Sequence, residues 1–202
     1  MGMFLNTILN SIIQIIFFAA LPFIWWLLSA RKRIPFTQWI GLKPWKDRST
    51  HLGVWIAGIS AAFTAVGLAL LFAFQGTETA VSVFSGRGIQ AVPAVAVHAV
   101  LNTSFPEELL FRGFLLKRLQ AQFGFVAANI TQSLLFGLLH GALFLGTAGV
   151  GKTVLLVLFT AAIAWFMGYI NEQKADGSIL PSWIIHAVSN LVSGLCAAYG
   201  VL

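Results

Sequence analysis

Apolar residues run in blocks of about 20 or more, separated by shorter polar segments, and this spacing predicts helices that cross a bilayer. The first block covers roughly residues 4–28 and the second 52–74. From Ile89 to Gln120 the pattern is long and is interrupted only by Pro93 and Pro106, which predicts one Pro-kinked helix. Further blocks cover roughly 123–145, 153–171 and 179–201. The polar, Gly-containing stretch 75–88 reads as a loop. Residues 31–50, with Pro35 and Pro44, read as a loop or an interfacial helix that places Trp39 and Trp45 at headgroup level. The expected fold class is all-α: a polytopic transmembrane helix bundle of about six spans, forming one integral-membrane domain over 1–202.

Composition supports the bilayer as solvent. Of 202 residues, 12 are Lys or Arg and 6 are Asp or Glu, so 9% are charged against 58% hydrophobic. A soluble domain carries about 25% charged residues. The contrast excludes a soluble enzyme, a disordered chain and a disulfide scaffold. The net charge of +6 could suggest nucleic acid, but in a membrane protein it reflects cationic loops. With the N-terminus outside, Arg31, Lys32, Arg33, Lys43, Lys46, Arg48, Arg112, Lys117, Arg118 and Lys174 fall on the cytoplasmic side, and only Arg87 and Lys152 fall outside. Positive charge follows the first apolar block and does not precede it, so that block reads as a retained helix and not a cleaved signal. Cys196 is the single cysteine, which excludes an internal disulfide. Cys196-Ala197-Ala198-Tyr199 resembles a lipidation box, but three residues follow it and such a signal must end the chain.

Polar residues at membrane depth mark candidate chemistry. In Pro106-Glu107-Glu108-Leu109-Leu110-Phe111-Arg112-Gly113 two acids are adjacent. Glu108 and Arg112 are four apart and predict an ion pair, which leaves Glu107 without a local cation and suited to general acid–base work. The plainer reading is a solvated first turn of an interfacial helix, with Ser104 and Glu107 at capping-box spacing. His140 lies inside a span between Gly137 and Gly141, a GxxxG step that lets another helix approach. His186 and Asn190 share one face of the last span. Each could equally be a packing residue that hydrogen-bonds across helices. His51 and His98 are expected to be structural.

Residues 146–153, Gly-Thr-Ala-Gly-Val-Gly-Lys-Thr, match the P-loop pattern. That motif binds nucleotide only between a buried strand and a helix. Here an apolar span precedes it, so a Gly-rich turn with Lys152 snorkelling is expected, and no nucleotide.

Helix arithmetic asks whether the clusters can meet. Counting from Lys117-Arg118 as a boundary, Glu107 lies ~15 Å deep at 1.5 Å per residue. His186 and Asn190 lie ~10–17 Å deep and His140 ~24 Å, so a polar site inside the membrane, biased to the cytoplasmic half, is expected.

Taken together, Glu107-Glu108…Arg112, Phe136…His140 and His186…Asn190, in this order on three helices, resemble the CAAX protease and bacteriocin-processing family, intramembrane endopeptidases that include the type II CAAX prenyl proteases. The resemblance covers about residues 100–195, within a motif-bearing core of about 89–201. It implies that Glu107, helped by His140, activates a water, that His186 and Asn190 donate hydrogen bonds to the oxyanion, and that Glu108 with Arg112 orients the site. The residues alone do not separate Glu107 from Glu108 as base; that assignment rests on the match. The resemblance implies a glutamate-type protease with no cofactor; Glu and two His could also ligate zinc, which keeps a zinc-dependent protease as an alternative. Expected partners are the lipid bilayer and a peptide or protein substrate, prenylated or leader-type, with no nucleic acid. The expected location is a prokaryotic cell membrane. From other classes, a noncatalytic immunity or peptide-handling scaffold, or a proton-relaying transporter, would use the same polar residues.

Overall fold

The computed structural model describes residues 2–45 and 51–201. Among them the chain is helical, with no strand. Lys46 and Arg48, counted above among the basic residues of the first loop, lie outside the described residues.

The first span is α1 (Met3–Ser29). A short helix, α2 (Phe36–Trp39), and the second span, α3 (Leu52–Ala73), follow. The next helical run, Gly88–Phe144, has 57 residues. At 1.5 Å per residue it would reach ~85 Å, nearly three times the thickness of a bilayer core. Gly124 divides it, with φ 77° and ψ 166°, a conformation essentially restricted to glycine. The run is therefore two helices, α4 (residues 92–123) and α5 (residues 125–144). Two more, α6 (Val150–Tyr169) and α7 (Leu180–Ala198), complete the bundle. Among the described residues, five helical runs are long and apolar enough to cross a membrane, and the division at Gly124 makes six spans of them. The all-α polytopic bundle expected from the apolar blocks is what the chain forms. Side chains such as Phe17 and Leu28 on α1 are 75% and 84% exposed, which only a lipid surround makes tolerable.

The chain does not turn at Lys117-Arg118. Both lie on α4, two helical turns before the reversal at Gly124. Lys117 is held half-buried because its Nζ lies 2.6 Å from Glu172 Oε1 and 2.7 Å from the Gly177 carbonyl. The pair moves the expected turn by about 10 Å along α4. The segments that the charge count placed on one side do gather at one end of the bundle. Lys43 pairs with Asp176 at 3.5 Å, Ser178 Oγ donates to the Lys43 carbonyl, and the Ile179 N–H donates to the Gly41 carbonyl. Gly41 has φ +82°, and a Cβ there would meet the Gly177 carbonyl at 2.5 Å. Trp39 does not face the lipid surround. It is 7% exposed, packed with Ile40, Leu109, Phe114 and Ile179, and the Arg118 guanidinium lies 4.1 Å from its ring centroid. Stacking on this cation favours burial of the indole. Trp45 is 40% exposed.

The GxxxG step joins α5 to α6 within the chain. A Cβ on Gly137 would lie 2.6 Å from the Val157 carbonyl, and one on Gly141 would strike the Val157 side chain. Because the first obstacle is backbone, Gly137→Ala is expected to destabilise the protein by about 1–3 kcal/mol, the cost of overpacking. Thermal unfolding in detergent checks this. An unchanged midpoint would show that the two helices are not held this close.

Residues 146–149 form part of the turn between α5 and α6, with Gly149 at φ +78°. Thr153 Oγ1 donates to the Gly149 carbonyl, and Lys152 Nζ lies 5.6 Å from the Phe74 ring centroid. The P-loop-like stretch thus follows a helix, not a strand. Cys196 is half-buried and free.

Candidate active site

Pro106 is inside a continuous helix, not at its start. Ser104 has φ −63° and ψ −49° and makes no cap, so the capping-box reading is overturned. A proline in a helix interior lacks its N–H and crowds the carbonyl four residues earlier. α4 accommodates it by widening into π-type turns over His98–Ser104 and Leu109–Leu116. At i, i+1, i+4 and i+5, Thr103, Ser104, Glu107 and Glu108 share one face of this continuous helix.

The two acids then part company. Glu108 is fully buried and saturated. Arg112 Nη1 lies 3.1 Å from its Oε1, and both side chains are 0% exposed. His186 Nδ1 lies 3.0 Å from the same oxygen. Ser182 Oγ donates to Oε2 at 2.5 Å. Glu107 instead faces a cavity and is 20% exposed. Its Oε2 has no hydrogen-bond partner among the described residues. His186 Nε2 lies 3.8 Å from that oxygen and His140 Nε2 lies 3.9 Å from it.

Both rings are held from behind. A carboxylate and a carbonyl only accept, so His186 Nδ1–H donates to Glu108, and His140 Nδ1–H donates to the Phe136 carbonyl at 2.9 Å. Each Nε2 is thereby turned toward Glu107. Phe136 also packs between them. Its ring centroid is 4.3 Å from the Arg112 guanidinium, 4.4 Å from the His140 ring and 6.1 Å from the His186 ring.

Asn190 lines the same cavity, but its amide is engaged with α4. Nδ2 donates to Thr103 Oγ1 at 2.9 Å and to Ser104 Oγ at 3.1 Å. His98 sits apart, against Phe84 and 3.2 Å from Asn102 Nδ2, as a packing histidine. His51 precedes α3 and is exposed.

The common turn at Gly124 explains why the clusters meet. Counted from it, Glu107 and His140 both lie ~24–26 Å along their helices. The cavity holds about 530 Å³ and is walled by α3, α4, α5, α6 and α7. It extends from Glu107 toward Phe74, Glu78 and Thr79, away from the basic end of the bundle.

Two residues in the cluster carry no sequence signal of their own as site groups, Ser182 and Asn171. Ser182 is one helical turn before His186, a spacing that could have drawn attention to it. Asn171, in a π-type turn after α6, has no such cue.

No curated protein and no solved structure matches the chain at a significant level. The family described as type II CAAX prenyl endopeptidase Rce1-like matches residues 89–192, which include α4 to α6 and the part of α7 that carries His186 and Asn190. That match covers more than half of the chain and all three motifs, and the chain belongs to this family of membrane endopeptidases.

Proposed function

We propose that this protein is an intramembrane endopeptidase in which Glu107 is the general base. The observation that carries the reading is the Glu107 carboxylate at the floor of the cavity, unbonded at Oε2, with two imidazole Nε2 atoms 3.8 and 3.9 Å away. Neither nitrogen is within hydrogen-bonding distance of it, and in this reading the attacking water stands about 2.8 Å from carboxylate and imidazole, between the groups. Glu107 takes a proton from that water as its oxygen attacks the peptide carbonyl carbon. His140 accepts a hydrogen bond from the same water and orients it. The tetrahedral oxyanion needs donors. His186 Nε2, when protonated, is one. The Asn190 amide is the other, if the substrate oxygen displaces the Thr103 or Ser104 hydroxyl. Collapse breaks the C–N bond, and the proton held by Glu107 passes to the leaving amine.

Glu107, His140 and His186 also form a donor set of the zinc type. Ligands about 2.0–2.1 Å from a tetrahedral ion stand about 3.3–3.4 Å apart, closer than these pairs. We favour water activation without a metal. The substrate is a peptide reaching the cavity within the bilayer, prenylated or leader-type. The setting is a prokaryotic cell membrane, with the N-terminus outside and the basic end of the bundle in the cytoplasm.

The test is cleavage of a farnesylated CAAX peptide and of a hydrophobic leader peptide by purified protein in detergent, with and without a chelator. His140→Ala is expected to lower kcat about 10²-fold, within the range of positioned acid–base groups. The wild-type rate is expected to survive the chelator. Loss on chelation with rescue by Zn²⁺ would replace the reading with the metal one. Full activity of His140→Ala would remove that residue from the water site, and no cleavage by folded protein would favour a scaffold.

A further inference from the structure

Resting on the reading of Glu107 as base, we propose that Ser182 and Asn171 are a positioning pair that fixes the orientation of His186 through Glu108. Ser182 has one hydroxyl proton and several neighbours. Its Oγ lies 2.5 Å from Glu108 Oε2 and 3.0 Å from the Ile179 carbonyl, while Asn171 Nδ2 donates to it at 2.7 Å. The shorter contact, to a charged acceptor, takes the proton. Asn171 Oδ1 in turn accepts the Ser182 N–H at 3.2 Å, so the two residues grip each other by backbone and side chain. Asn171, Ser182 and Glu108 are all fully buried, and no solvent substitutes for a lost partner there.

The direction of the chain gives it a function. Asn171 donates to Ser182, Ser182 to Glu108 Oε2, and His186 Nδ1–H to Glu108 Oε1. Arg112 neutralises the carboxylate, but it meets only Oε1. Ser182 is the partner on Oε2, and it stops the carboxylate from rotating about its own axis. A carboxylate free to rotate would let the His186 ring swing, and Nε2 would leave its place 3.8 Å from Glu107. The pair touches neither the cavity nor Glu107; it works at two removes.

The first test needs no substrate. The chain has four histidines. Protein labelled with ¹⁵N at the imidazoles, in detergent micelles, gives ring signals that report tautomer and hydrogen bonding. Ser182→Ala and Asn171→Ala are expected to shift the His186 nitrogens and to leave those of His98 and His140 in place. Ser182→Thr, which keeps the hydroxyl, is expected to restore the wild-type signals. Unmoved His186 signals in both alanine variants, or equal movement of all the rings, would overturn the proposal.

The second test is kinetic, with the farnesylated peptide. Ser182→Ala is expected to lower kcat by roughly 10- to 100-fold with KM unchanged, the range of a hydrogen bond to a charged group. In a Glu108→Gln background the same change is expected to have little further effect, because both act through one carboxylate. Equal losses in both backgrounds would make Ser182 a packing residue only. An active Glu107→Gln protein would bring down the catalytic reading while leaving the ¹⁵N result to stand or fall by itself.

Discussion

Glu107→Gln is expected to reduce peptide cleavage by about 10³–10⁴-fold in kcat, near the upper end of what a positioned general base contributes. Gln keeps the length and the hydrogen-bonding ability of the side chain and removes only its capacity to take a proton. The fold is expected to tolerate the change. Glu107 is 20% exposed, Oε2 has no hydrogen-bond partner to lose, and the nearest imidazoles are 3.8 and 3.9 Å away. Thermal unfolding should therefore move little, by no more than the about 0.5 kcal/mol typical of substitutions away from packed or paired sites. The matched variant, Glu108→Gln, should behave in the opposite proportion. It weakens the hold of three partners on a fully buried carboxylate, so stability falls, while kcat drops less than with Glu107→Gln because the base itself is intact. Measuring both variants by the same two assays separates the adjacent acids. A Glu107→Gln enzyme that retains even a tenth of wild-type kcat would exclude this residue as base.

That separation was not available from the sequence, and the reason is geometric. Neighbouring residues on a helix point about 100° apart, but which of two directions is the cavity depends on what packs against the helix. The Glu108–Arg112 pair was legible because it is local to one helix, and the three motifs were legible because polar residues are so few among the apolar blocks. The six spans followed from the same blocks. The turn before α5 was misplaced because Lys117 and Arg118 look like a solvent boundary. Their partial burial depends on Glu172, Gly177 and Trp39, residues brought to them by other segments. Ser104 failed as a helix cap for a related reason. Proline in the first turn after a serine is a start signal in the local code, whereas here the helix absorbs Pro106 with π-type turns, and Ser104 accepts a hydrogen bond from Asn190. The Asn190 amide, expected to face an oxyanion, is engaged with Thr103 and Ser104 in this state, a contact between helices 86 and 87 residues apart in the chain.

Removing the cation from the buried pair tests how the site is held together. Arg112→Leu is expected to destabilise the protein by about 3–5 kcal/mol, the usual result of leaving one member of a buried ion pair alone. Arg112 has little else to lose. Its guanidinium lies 3.1 Å from Glu108 Oε1 and 4.3 Å from the Phe136 ring centroid, and its nitrogens have no hydrogen-bond partner among the described residues. Its value lies in neutralising Glu108 where no water can. Leucine keeps the apolar stem, gives up the guanidinium contact with Phe136, and leaves a carboxylate with only Ser182 and His186. Arg112→Lys restores charge but not a planar group on Phe136, and should recover part of the loss. Adding Glu108→Gln to Arg112→Leu removes the stranded charge, so the double variant should be more stable than Arg112→Leu alone, with a coupling of about 0.5–3 kcal/mol. Equilibrium unfolding in mixed detergent of the wild type, Arg112→Leu, Arg112→Lys, Glu108→Gln and the double variant measures these terms. If Arg112→Leu unfolds with the wild type, the pair does not carry the fold. If the double variant is as unstable as the single, the damage comes from lost packing on Phe136 and not from the charge.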